Sequence, residues 1–87
     1  MYVTESEDIE WDATLYKYEQ IAEILTQRIM SGAYPPQTLL SEVALEHEFG
    51  VARRTVRLAM EILRKQGLVV TRRGKGSVVV RQRDDSS

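Results

Sequence analysis

A mainly α domain of three helices closed by a small β-hairpin is the fold that this sequence predicts, and three observations carry the prediction. Tyr18, Ile21, Ala22, Leu25 and Ile29 recur at three- and four-residue steps, as do Val56, Ala59, Met60 and Leu63, so each set forms one stripe of a helix. Between them, Ser41 and Gly50 bracket a shorter helical stretch with a cap residue at one end and a breaker at the other. After them, two β-branched runs, Leu68–Thr71 and Ser77–Val80, are separated by Arg72-Arg73-Gly74-Lys75-Gly76, the pattern of a hairpin. With 87 residues the chain fits one domain. A domain of this size removes only about 60–70 % of its unfolded surface from water, so a large catalytic cleft is not expected.

Taken in order, residues 1–13 are rich in Glu and Asp and lack a sustained period, which predicts an acidic mobile arm in which Ile9 and Trp11, with Leu15 just beyond it, are the candidates for docking. The first helix is expected over 14–31 and ends at Gly32; Ala33-Tyr34-Pro35-Pro36-Gln37 then forbids its continuation, because proline lacks a donor and restricts the residue before it. Thr38-Leu39-Leu40 reads as a short extended piece, and Ser41 as the N-cap of a second helix over Glu42–Phe49. A three-residue turn, Gly50-Val51-Ala52, leads into a third helix over Arg53–Gln66 with Gly67 as its cap. Two helices joined in this way make a helix-turn-helix, and the hairpin that follows makes a wing. The expected architecture is therefore a winged helix-turn-helix over 14–81, with a flexible tail at 82–87.

Composition narrows the function. The hydrophobic share of 43 % and the charged share of 29 % are ordinary for a globular chain. There is no apolar run of about 18 residues, and the acidic start does not resemble a signal peptide, so no membrane partner and a cytoplasmic location are expected. Without cysteine there is no disulfide framework and no thiolate metal site. The net charge of −1 conceals a division: residues 1–50 carry a net −8 and residues 51–87 a net +7. A polyanion responds to the face that it approaches, with screening beyond about 8–10 Å, so an acidic body with a basic face can bind DNA.

On a helical wheel of the third helix, Arg53, Arg57, Glu61 and Arg64 lie opposite the apolar stripe, with Arg54 at the flank. An arginine in the major groove can donate two hydrogen bonds to guanine O6 and N7. Arg53, Arg54 and Arg57 are thus candidates for base or phosphate contact; the alternative is a solvated face with an Arg57–Glu61 pair one turn apart. Thr55 can bond a phosphate or its own helix, and Ser41 can cap the second helix while the free amides there bind a phosphate. Arg64, nearly three turns down, is expected to meet the DNA backbone or nothing. In the wing, Gly74 and Gly76 permit a tight turn while Arg72, Arg73 and Lys75 place cations at its tip, which suits a minor groove.

Other chemistries find little support. The Gly74-Lys75-Gly76 stretch opens no helix and lacks a Lys-Ser/Thr pair, so it is not a nucleotide loop. His47 is the lone histidine, Glu46 and Glu48 do not share a helical face, and no nucleophile triad has its strand-turn-helix setting. Neither an enzyme nor a bound cofactor or metal is expected. RNA binding is disfavoured because the aromatic residues lie outside the wing. Leu58 and Ile62 form an apolar pair on a third face of the third helix, to be covered by the arm or by a second copy; the alternative function is a protein-interaction module using this pair and the acidic arm, without autonomous DNA binding.

The stretches Tyr18-Glu19-Gln20-Ile21-Ala22, Ile29-Met30-Ser31-Gly32, Leu39-Leu40-Ser41-Glu42, Phe49-Gly50-Val51, Arg53, Thr55-Val56-Arg57, Gly67-Leu68-Val69 and Gly74-Lys75-Gly76-Ser77 resemble the DNA-binding domain of the GntR family, from about Tyr18 to Val80. The resemblance implies a transcriptional regulator, usually a repressor, that binds a palindromic operator of double-stranded DNA as a homodimer. Several departures stand out. Gln37 and Leu40 replace the family's usual Gly and Pro, Val43 replaces an arginine that often touches DNA, and Ala52 replaces the usual Ser or Thr cap; Arg54 stands where a small polar residue is common. Members usually continue into an effector-binding or aminotransferase-like domain, so the chain is expected to be either an excised fragment or a short regulator, and no small-molecule effector is assignable within it.

Overall fold

In a computed structural model, residues 11, 12 and 15–81 are described; the rest of the expected arm, Thr14 at the expected start of the first helix, and the tail at 82–87 lie outside the described residues. The order is α1 (Lys17–Met30), β1 (Leu39–Leu40), α2 (Glu42–Phe49), α3 (Arg53–Lys65), β2 (Val69–Arg72) and β3 (Gly76–Val79). The first helix begins later than the apolar period suggests. Its start is held by Glu19, whose carboxylate accepts from the Tyr16 N–H at 3.2 Å, and by Gln20. The Gln20 side chain, itself buried, accepts from the Asp12 N–H at 2.7 Å and donates to the carbonyls of Asp12 at 2.9 Å and Leu15 at 3.2 Å. This bidentate clamp satisfies backbone groups just outside the helix and folds residues 11–12 back onto α1. Trp11 consequently packs against the core, with Lys17 Nζ 5.2 Å from its ring centre, whereas Leu15 remains exposed.

Between α1 and β1 the chain makes a tight turn in which the Thr38 N–H donates to the Pro35 carbonyl at 3.1 Å. Gln37 occupies the third position with φ 79°, the left-handed conformation that a type II turn requires after proline and that glycine adopts with least cost. The turn survives without the glycine, so the departure at Gln37 changes its energy rather than its shape. It delivers β1 to the sheet: Leu39 pairs with Val78 and Leu40 with Ser77, and the Gln37 N–H donates to the Val79 carbonyl at 2.9 Å. The expected hairpin is therefore part of a three-stranded antiparallel sheet in the order β1-β3-β2, with β3 central.

Ser41 caps α2 as expected, its Oγ accepting from the Ala44 N–H at 3.1 Å, and Gly50 ends that helix at φ 65°. Ala52 opens α3 in an extended conformation without a side-chain cap. At the far end Gln66 is the C-cap and Gly67 lies one residue beyond it; the Gly67 and Leu68 amides donate to the carbonyls of Arg64 and Leu63, each at 3.0 Å. This pair of bonds satisfies carbonyls of the last turn and redirects the chain into β2. Ile21 and Leu25 from α1, Leu45 and Phe49 from α2, and Val56, Met60 and Leu63 from α3 meet Leu40, Val69 and Val79 of the sheet, and Leu68 just before β2, in one core. Ile62 also packs against that core, which places half of the expected third-face pair under intramolecular cover; Leu58 is half-buried.

Candidate nucleic-acid interface

The apolar stripe of α3 turns its opposite side outward, and Arg53, Arg54 and Arg57 are all exposed there. Two of the three arginines are not bare cations. Arg53 Nε lies 2.6 Å from Glu46 Oε2, and Arg57 Nε lies 3.2 Å from Glu42 Oε1. One-turn spacing on the same helix points to Glu61 as the partner of Arg57; Glu42 of α2 takes its place because the helix-turn-helix angle brings the two outward faces together. The pairs are in register, four residues apart on each helix. Both contacts run through Nε and leave the terminal amino groups of the guanidinium without a hydrogen-bond partner among the described residues. Glu46, by its hydrogen bond first and its charge second, raises the affinity of Arg53 for its proton above the ordinary value, so this arginine remains a cation. Arg54 makes no ion pair with the described residues.

The wing has a different character. Arg73, Gly74 and Lys75 form its loop, closed by the Lys75 N–H donating to the Arg72 carbonyl at 2.9 Å. Gly74 at φ 78° and Gly76 at φ 99° hold conformations that would strain any other residue, which explains both glycines at the tip. Arg72, Arg73 and Lys75 are exposed and carry no ion pair among the described residues. They line a groove of about 630 Å³ with Gln37, Leu39 and Val78.

Helix and wing converge at a second open groove of about 330 Å³, where Ser41, Glu42, Val43 and Arg53 face Lys75 and Gly76. The start of α2, the start of α3 and the wing, separated in sequence, thus share one surface. Thr55 is half-buried in the first turn of α3 beside this surface, and its hydroxyl has no hydrogen bond within the described residues. Arg64 stands apart: exposed near the far end of α3, its Nη1 donates to Thr71 Oγ1 at 3.3 Å, a contact between α3 and β2. Sequence reasoning also missed Glu42 and Glu46 as partners and Val43 and Leu39 as exposed apolar members of the surface, respectively 50 % and 54 % accessible. The i,i+4 spacing of Glu42 and Glu46 matches that of Arg53 and Arg57, but only the turn geometry sets one pair against the other. Among the described residues no cluster of metal-ligating side chains occurs, and no helix is long and apolar enough to cross a membrane.

A helix-turn-helix with an arginine-bearing outer helix, followed by a basic wing on a three-stranded sheet, defines the class of winged helix-turn-helix DNA-binding domains. The chain belongs to the gntR family of bacterial regulatory proteins, whose model matches residues 17–79. It is 43 % identical over 63 residues to the uncharacterized HTH-type transcriptional regulator YieP of Escherichia coli, a match that spans 71 % of this chain and 27 % of YieP. It is 37 % identical over 65 residues to the HTH-type transcriptional regulator GmuR of Bacillus subtilis, again spanning 74 % of this chain and 27 % of that protein. Among solved structures it is similar to AraR(DBD) in complex with operator ORX1, with a TM-score of 0.71 and 36 % identity over 76 % of this chain and 81 % of that one. A second complex, with operator ORR3, gives a TM-score of 0.73 and 33 % identity over 83 % and 88 % of the two chains. The chain therefore spans about a quarter of the curated relatives but most of a DNA-binding domain crystallised on its operator. The family is one of bacterial regulatory proteins, in line with the regulatory role that the sequence leads one to expect.

Proposed function

We propose that this chain is the operator-reading module of a transcriptional repressor and recognises double-stranded DNA by sequence. In this reading α3 lies in the major groove, with Arg53, Arg54 and Arg57 on base edges or adjacent phosphates. Ser41 and Thr55 contact phosphates, and the wing at Arg72, Arg73, Gly74, Lys75 and Gly76 enters the minor groove. The observation that carries the reading is the single surface on which Ser41, Arg53 and Lys75 converge from three separate elements. Such a surface can bridge a major groove and its neighbouring minor groove at once. The operator complexes of AraR(DBD) support the same use of the fold, and the E. coli relative named a mannosyl-D-glycerate transport/metabolism system repressor, 39 % identical over 67 residues, supports the regulatory direction.

Two copies on a palindromic operator would read half-sites about 34 Å apart, one turn of the duplex. Selection of bound sequences from a randomised duplex pool tests the proposal. An enriched motif that disappears with Arg53→Ala/Arg57→Ala is the expected result, and its appearance as an inverted repeat would identify paired copies. Recovery of an unenriched pool would contradict sequence recognition.

A further inference from the structure

We infer that Glu46, with Glu42 beside it, is a specificity-determining positioning residue that makes the recognition arginines poor ligands for phosphate while leaving them able to read bases. The inference rests on the DNA-binding reading above and adds a role for two acidic residues that lie on the basic face. Two in-register ion pairs join α2 to α3, at 2.6 Å for Glu46–Arg53 and 3.2 Å for Glu42–Arg57. In each, the carboxylate takes the Nε donor, so the guanidinium has only its two terminal amino groups to offer an outside acceptor.

That division matters because base reading and phosphate binding make different demands. A guanine edge needs two parallel donors held in one orientation, and the remaining Nη1/Nη2 fork supplies them. A phosphate needs net positive charge within reach, from whatever donor is nearest. A carboxylate in contact with the guanidinium cancels much of that charge and repels an approaching phosphate, but it does not remove the outward donors. Glu46 is the stronger member, because its contact is shorter and its carboxylate is only a quarter exposed, so water screens it less than it screens Arg53. Arg54 and the wing cations, which have no carboxylate partner within the described residues, supply the unspecific attraction instead.

The test uses Glu46→Gln and Glu42→Gln, singly and together, with Glu23→Gln on the exposed side of α1 as a control for removing one negative charge elsewhere. Affinity for a selected operator duplex and for random duplex is measured by fluorescence anisotropy over a range of salt, with a thermal melt for each variant. Glu46→Gln is expected to tighten random binding and to steepen its log–log salt dependence by about 0.9 for each arginine released onto a phosphate. The operator-to-random ratio should fall by roughly tenfold, the scale of one bidentate base contact, with an unchanged melt. Glu23→Gln should leave the ratio alone. An unchanged ratio in Glu46→Gln, a parallel weakening on both duplexes, or an equal effect of Glu23→Gln would overturn the inference. If the parent binds no duplex at all, the DNA-binding reading falls together with it; if the parent binds and the glutamine variants match it, only the role of the two carboxylates falls.

Discussion

The outer face of α3 and the tip of the wing are both basic, yet they are built in opposite ways. On α3, Arg53 and Arg57 are each held by a carboxylate from α2. On the wing, Arg72, Arg73 and Lys75 extend from a glycine-permitted loop with no such partner among the described residues. An oriented fork with reduced net charge favours discrimination, whereas unpaired cations on a short loop favour attraction at a distance. In the proposed reading the same residue type would perform two jobs, and the difference lies in what stands behind each guanidinium.

The largest expected effect separates these jobs. Arg53→Ala/Arg57→Ala should remove most of the preference for operator over random duplex, at about 1–3 kcal/mol for each bidentate base pairing that the substitution abolishes, and competition binding would measure it. Arg72→Ala/Arg73→Ala/Lys75→Ala should instead weaken operator and random duplex together and flatten the log–log salt slope by up to about 0.9 for each phosphate no longer neutralised. If the wing variant gave up discrimination and the helix variant gave up only salt dependence, the assignment of the two regions would have to be exchanged.

Two smaller effects concern the scaffold that holds the helix and the wing in place. Ala52 occupies the N-cap of α3 with extended backbone and no capping side chain, so Ala52→Ser should stabilise the fold by about 1 kcal/mol. In a domain of this size that corresponds to a rise in melting temperature of about 4–8 °C. Gln37→Gly should relieve a left-handed conformation that costs a side-chain-bearing residue about 1–2 kcal/mol, offset by the greater freedom of glycine in the unfolded chain, for a net gain of about 0.5–1 kcal/mol. Differential scanning calorimetry would register both. A destabilised Gln37→Gly variant would show that the Gln37 side chain contributes more than its backbone costs.

The helices and the wing were legible because each is written locally. The stripes of α1 and α3, the Ser41 cap, the Gly50 stop and the β-branched runs flanking Gly74 and Gly76 depend on near neighbours alone. What escaped depends on distant partners. Leu39-Leu40 is legible as extended but too short to announce a partner, and it becomes a strand because β3 offers a free edge. Trp11 is legible as a docking candidate, but its tether is not: the Gln20 amide reaches back eight residues to Asp12 and holds that segment against α1. The local rule pairs Arg57 with Glu61, whereas the crossing of α2 and α3 places Glu42 against it. The basic residues of the surface could be named from the sequence; the carboxylates that orient them could not, because no local pattern records which faces meet across the turn.

The most direct test of this account is an anisotropy titration of a random duplex pool at low and at physiological salt, with the parent chain and with Arg53→Ala/Arg57→Ala. The account expects the parent to bind and to weaken steeply as salt rises. It expects the double substitution, which leaves Glu42 and Glu46 unpaired on the proposed DNA-binding surface, to weaken binding further. A folded parent that binds no duplex even at low salt would contradict it.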